Sequence, residues 1–339
     1  MTPSVLAFPY LQYTPSFAEP PVAFGDGAAV AGRATLGRGS HFGALAAIRA
    51  DGHHVTVGDD FWLGPRSTIH IAHEVLPAQV GHHVTVGINT TVHACTVGDQ
   101  CVIEDNVVIL DGARVGDGCV VASGSVVFPR AELPAGHWCE GSPAKPIRPL
   151  TPEQLAAAHE RVRGLTLTAP IAVPAGGRVE GGATNYVAPT ARLQGRVVLA
   201  DQASVWLSCL LDAAGHEISV GARSNVQDNT VIRADTGPVK IGADVTVGHN
   251  VTIRSCTIGD RALIGIGSVL AAGTVVEDDV LLAAGSVTLP GQRLTADAMW
   301  AGKPARRLGP LDDAKRRIID FGAAHYCLYN RDFLARPAT

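Results

Sequence analysis

Histidine is the side chain that can both ligate a metal and move a proton near neutral pH, and in this chain its placement is tied to a repeat. Residues 80–99 and 241–260 are one phrase written twice, offset by 161 positions. The copies differ at two informative places. His93 of the first copy becomes Arg254 in the second, and Ile88 of the first becomes His249. Each copy thus keeps a histidine where the other has lost one. Losses that complement each other point to chemistry shared between copies. The nearby His53, His54, His73, His82 and His83 show no such exchange and read as surface or satisfied residues.

The elements that carry these residues follow from a second period. From about residue 21 an apolar side chain recurs every six positions, as at Val80, Val86 and Val92. After one five-residue step it resumes at Val97, Ile103, Ile109, Val115 and Val121, and in the second half at Ile258, Ile264, Leu270, Val276 and Leu282. A period of six is neither helical nor a simple alternation. It predicts a hexapeptide β-solenoid with three flat faces per coil and one apolar residue pointing inward from each. The composition agrees: 38 glycines and 5% aromatics suit tight repeated turns better than a helical bundle.

Read in order, residues 1–150 form an N-terminal arm and a first solenoid, closing near Gly141-Ser-Pro-Ala-Lys-Pro-Ile. Residues 151–182 form a linker. Thr151 and Pro152 start a helix over 151–163, and a Pro/Gly-rich connector follows. Residues 183–339 hold a second solenoid, closing at Ala301-Gly-Lys-Pro-Ala-Arg-Arg, and a C-terminal helix over 311–335 with Ile318, Ile319, Phe321 and Leu328 on its apolar stripe. The fold class expected is all-β: two tandem β-helices with a linker helix and a C-terminal helix.

The repeats, with Ser204-Val-Trp, Asn225-Val-Gln-Asp, Val247-Gly-His and the closing Gly-Lys-Pro-Ala-Arg, resemble the γ-class carbonic anhydrase family, in two tandem copies. That resemblance implies left-handed parallel β-helices, a trimeric family assembly, and zinc held between subunits by two histidines of one and a third of its neighbour. Carried over residue by residue, the first two-histidine position is His70 in copy one and Arg233 in copy two; the next is His93 and Arg254. The neighbour's ligand is Ile88 in copy one and His249 in copy two. The resemblance therefore implies one composite set, His70, His93 and His249, for Zn²⁺, with Fe²⁺ or Co²⁺ as other occupants.

The family's supporting groups divide the same way. Its Arg-Gly-Asp phrase survives as Arg49-Ala50-Asp51 and is replaced in copy two by Asp212-Ala213-Ala214. Its Gln-Asp survives as Gln227 and Asp228, against Gly64 and Pro65 in copy one. Arg49, Asp51 and Asp228 are expected to tie the two faces together, and Gln227 to hold water or substrate. Glu74 is a candidate proton carrier. Tyr326 resembles a helix tyrosine that lines the pocket in some family members. Cys95 and Cys256, at matching positions, are expected to be small buried corner residues.

The activity implied is a zinc-dependent lyase or hydratase, with metal-bound hydroxide attacking CO₂ or a related small electrophile. A hexapeptide acyltransferase with a histidine general base is the alternative, and a paired solenoid without chemistry a third. The partner is a small molecule, met where two solenoids pair within or between chains, and a homo-oligomer stays open. A net charge of −4 without a long basic run excludes nucleic acid as an expected partner. No apolar run reaches membrane-spanning length, so no membrane is expected. Seven cysteines without a Cys-x-x-Cys pair, and an N-terminus lacking a basic signal-peptide region, predict a reducing, cytoplasmic setting.

Overall fold

The computed structural model describes residues 6–168 and 177–335. Residues 169–176 of the Pro/Gly-rich connector expected up to residue 182 lie outside them, while residues up to Thr168 extend the linker helix and Gly177–Glu180 form a strand. The chain divides into two compact units, residues 1–171 and 172–339. Each is a left-handed parallel β-helix of hexapeptide coils.

In the first unit, strands stack rung on rung. Thr85–Val86 pairs in parallel with Trp62–Leu63 on one side and Val102–Ile103 on the other, and Val102–Ile103 pairs in turn with Val120–Val121. Partners lie 17 to 23 residues apart, because one coil is three hexapeptides, shortened where a five-residue step occurs and lengthened where residues are inserted. The eleven-residue strand Ala47–Val57 bends around a corner and serves two faces. Its start pairs with Thr68–His70 and its end with Ala78–Val80. The second unit repeats the device with Leu210–Val220. Each unit closes on an antiparallel hairpin, His137–Gly141 with Ala144–Pro149 and Ala298–Ala301 with Arg306–Pro310.

The six-residue positions line the cores. Val86, Val92, Ile103, Ile109 and Val121 are buried in the first unit, as are Ile264, Leu270 and Leu282 in the second. Each such side chain contributes about 1.5–3 kcal/mol of burial. Corners turn through left-handed backbone, often without glycine: His83, Gln100, Asn89 and Asn106 all have φ between 53° and 57°. Stacked hydrogen bonds offset that cost. Gln100 N–H donates to His82 O at 2.8 Å, and Gly118 N–H to Asp99 O at 2.8 Å.

Two helices cover equivalent outer faces. Helix α1, Pro152–Thr168, lays Ala158 and Val162 over Val102 and Val120. Trp62 Nε1–H donates to Thr166 Oγ1 at 2.8 Å. His159 bridges Thr85 Oγ1 (2.8 Å) and the Gln100 carbonyl (3.2 Å). The helix expected to link the halves is thus docked on the first unit. Helix α2, Asp313–Leu334, is N-capped by Asp312 and covers Leu281 and Leu311 with Ile319. Its expected stripe needs correction. Ile318, Phe321 and Leu328 are 55%, 52% and 45% exposed, while Ile319, Ala323, Tyr326, Asn330 and Phe333 are buried. Helical periodicity counted from Ile319 reaches residues 323, 326, 330 and 333 and puts Phe321 on the far side. The expected N-terminal arm also differs: Ala7–Phe8 and Ser16–Phe17 both pair with Ala29–Leu36 as further sheet strands.

Candidate functional site

Residue His70 ends strand Thr68–His70 and His93 ends Thr91–His93 on the next rung. The two are direct ladder partners, and Arg49 is His70's partner on the other side. In each case the preceding residue, Ile48, Ile69 or Val92, is a core residue. Strand alternation therefore turns Arg49, His70 and His93 outward on one face, about 4.8 Å apart along the stack.

Carboxylates fix the rings. Asp51, two residues beyond Arg49, is ion-paired with it, and both side chains are 0% exposed. Its Oδ1 lies 3.1 Å from His70 Nε2. Asp111 Oδ1 lies 2.6 Å from His93 Nδ1. A carboxylate only accepts, so each imidazole donates toward its own aspartate. A neutral imidazole has one N–H. The remaining nitrogens, His70 Nδ1 and His93 Nε2, then present lone pairs to each other across 3.2 Å. Only a cation between them, or a proton on one of them, makes that approach favourable.

The second unit holds the third candidate ligand, His249. His249, in the corner after strand Thr246–Val247, is buried. Its Nδ1 lies 3.1 Å from Asp228 Oδ2, within ion-pair reach though off the hydrogen-bond line. The Leu207 amide donates to Asp228 Oδ1 at 2.9 Å, which holds the carboxylate in place. Gln227 is buried, and its Nε2 donates to Asn225 Oδ1 at 3.1 Å.

Other expected residues are spread more widely. Glu74 is exposed, in the excursion between Ala72 and Leu76. There it opposes the effect of burial on its neighbour His73, whose pKa burial lowers. Tyr326 is buried on α2, its ring edge-on to Trp206 at 5.1 Å and to Tyr329 at 5.7 Å. In the second unit the ladder equivalent to Arg49, His70 and His93 is Asp212, Arg233 and Arg254. Both arginines are exposed, and Arg254 Nε donates to Asp235 Oδ2 at 3.0 Å. Cys95 and Cys256 are buried. Burial pushes both thiols up, Cys256 to about 11, so neither is a ready nucleophile. The residue missed from sequence is Asp111. Its signal was the period itself, since it stands 18 residues beyond His93, three hexapeptides on.

Family models match the repeats. The bacterial transferase hexapeptide (six repeats) matches residues 94–129, and the hexapeptide repeat of succinyl-transferase matches 238–272 and 255–288. The chain is 37% identical over 148 residues to gamma carbonic anhydrase 2, mitochondrial, of Arabidopsis thaliana, covering 42% of this chain and 53% of that protein. It is 36% identical over 148 residues to protein YrdA of Escherichia coli (strain K12), covering 41% of this chain and 80% of that one. The chain spans about half the length of the Arabidopsis relatives it matches. A solved structure from Desulfovibrio desulfuricans G20, described as an acetyltransferase, covers 98% of this chain and is itself covered over 81% of its length. Its TM-score is 0.54 at 12% identity, a likeness of fold alone.

Proposed function

We propose that this chain, which belongs to the γ-carbonic anhydrase-like hexapeptide-repeat family and carries two repeat regions, is a metal-dependent lyase that adds water to CO₂ or a related small electrophile. Its single metal site is made by His70 and His93 of a first solenoid with His249 of a second. The observation that carries the reading is the approach of His70 Nδ1 and His93 Nε2 to 3.2 Å, with the other nitrogen of each ring against a carboxylate. Further support comes from His249 of the second unit, buried and 3.1 Å from the Asp228 carboxylate, the same histidine–carboxylate pairing that His70 and His93 show. Three neutral imidazoles with a fourth position open suit Zn²⁺, and accommodate Fe²⁺ or Co²⁺.

A bound divalent ion would supply a Lewis acid able to lower the pKa of water toward about 7. The residues of the chain do the rest. Asp51, held by Arg49, and Asp228, held by the Leu207 amide, keep His70 and His249 oriented. Gln227, buried and braced by Asn225, offers an amide to hold the reacting water or the substrate. Glu74, exposed four residues beyond His70, carries protons to solvent.

The test is metal analysis of the purified chain with a CO₂-hydration assay. One tightly held metal per chain, with hydration lost in His70→Ala, is expected. Full metal content and activity in that variant would overturn the assignment. The acyltransferase reading is favoured by the transferase names of the matching family models. Saturable acetyl-CoA binding by a chain that takes up no metal would establish it instead.

A further inference from the structure

We infer that Asp111 is a positioning residue of the metal site: its carboxylate holds His93 in the tautomer that leaves Nε2 as the ligand atom. The inference rests on the metal-site reading above. Asp111 is half exposed, at 47%, whereas His93 is only 13% exposed. A half-exposed carboxylate loses little solvation, so the 2.6 Å contact acts mainly on the ring. It draws the single proton of neutral His93 to Nδ1. Nε2 is then an acceptor, aimed at the gap it shares with His70 Nδ1.

The duplicated chain provides the control. Ladder registers place Ile109 beside Val92 and Leu270 beside Ile253, so Asp111 and Ala272 are equivalent, as are His93 and Arg254. The same holds for the other two ligands. His70 with Asp51 corresponds to Arg233 with Ala214, and His249 with Asp228 corresponds to Ile88 with Pro65. At all three positions histidine and carboxylate are present together or absent together.

A purely structural role for Asp111 is disfavoured by the second copy. The corner is the same in both: Gly112 and Gly273 have φ of 70° and 76°. Arg130 N–H donates to the Asp111 carbonyl at 2.9 Å, and Gly291 N–H to the Ala272 carbonyl at 2.9 Å. The turn forms equally well over alanine. The turn therefore does not require the carboxylate of Asp111, which meets the His93 ring at 2.6 Å.

The test uses the full chain and its Asp111→Ala and Asp111→Asn variants. Zn²⁺ affinity is read by chelator competition, coordination by the visible spectrum of the Co²⁺-loaded protein, and folding by the melting temperature without metal. Asp111→Ala should melt as wild type does, since the second copy tolerates Ala272. Its Zn²⁺ affinity should fall about 10- to 100-fold, with altered Co²⁺ bands. Asp111→Asn, whose amide oxygen can still accept from Nδ1–H, should recover part of the loss. If the Ala variant misfolds, the Asn variant carries the test through the Co²⁺ bands alone. Wild-type affinity and bands in the folded variant would overturn the inference while leaving the metal site standing. A wild-type chain that takes up neither Zn²⁺ nor Co²⁺ would overturn both.

Discussion

Arg49→Met isolates the charge that holds the first-solenoid half of the site together. Arg49 and Asp51 both have side chains at 0% exposure, and Asp51 also meets His70 at 3.1 Å. Removing the guanidinium leaves a buried carboxylate with an imidazole as its main counter-group. Breaking one side of a buried pair typically costs about 3–5 kcal/mol, because the remaining charge is neither solvated nor compensated. For a unit of roughly this size, each kcal/mol lowers the melting temperature by about 2–4 °C, so a fall of roughly 6–20 °C is expected. The double variant Arg49→Met, Asp51→Asn removes both charges and should recover much of the loss. Thermal melts followed by circular dichroism, without added metal, read both. A single variant costing under about 1 kcal/mol, or a double variant no better than the single, would refute the buried-pair argument.

Other outcomes follow from the same geometry. His249→Ala should lower tightly bound metal from one per chain to none, because two imidazoles hold Zn²⁺ far less well than three; plasma emission analysis checks this. Mixing a His93→Ala chain with a His249→Ala chain should restore part of the hydration activity if solenoids pair between chains, and none if they pair within one. Chelator treatment should abolish hydration and lower the melting temperature, and Zn²⁺ should restore both. Acid should loosen α1. Burial holds the His159 pKa below its ordinary 6.5, outweighing the Gln100 carbonyl and Asp60, which raise it; Arg163 and His83 add to the lowering. The unfolded chain therefore binds the proton more readily. This histidine's cost is absent well above pH 6.5 and grows as pH falls below it. Hydrogen exchange of the α1 amides between pH 7.5 and 5 should show protection falling with acid, less steeply in His159→Gln.

The six-residue period by itself determined the solenoid and its core, from Val86 to Leu282, because a stack of identical coils allows only one inward direction at each step. The closing phrases at 141 and 301 marked where both stacks end, since a proline-rich turn cannot continue a coil. Complementary histidines also stood out without coordinates, because two aligned copies reveal what each lacks. Tertiary structure decided the rest. The stripe of α2 runs through Ile319, Ala323 and Phe333 rather than Ile318 and Phe321, because the surface beneath a helix selects its buried face. The segment ahead of residue 20 pairs as strands because Ala29–Leu36 offers it a free edge. Ring orientation lay furthest from view. Which nitrogen of His93 faces His70 depends on a 2.6 Å contact with Asp111, and a residue one coil away becomes a neighbour only when the rungs are stacked.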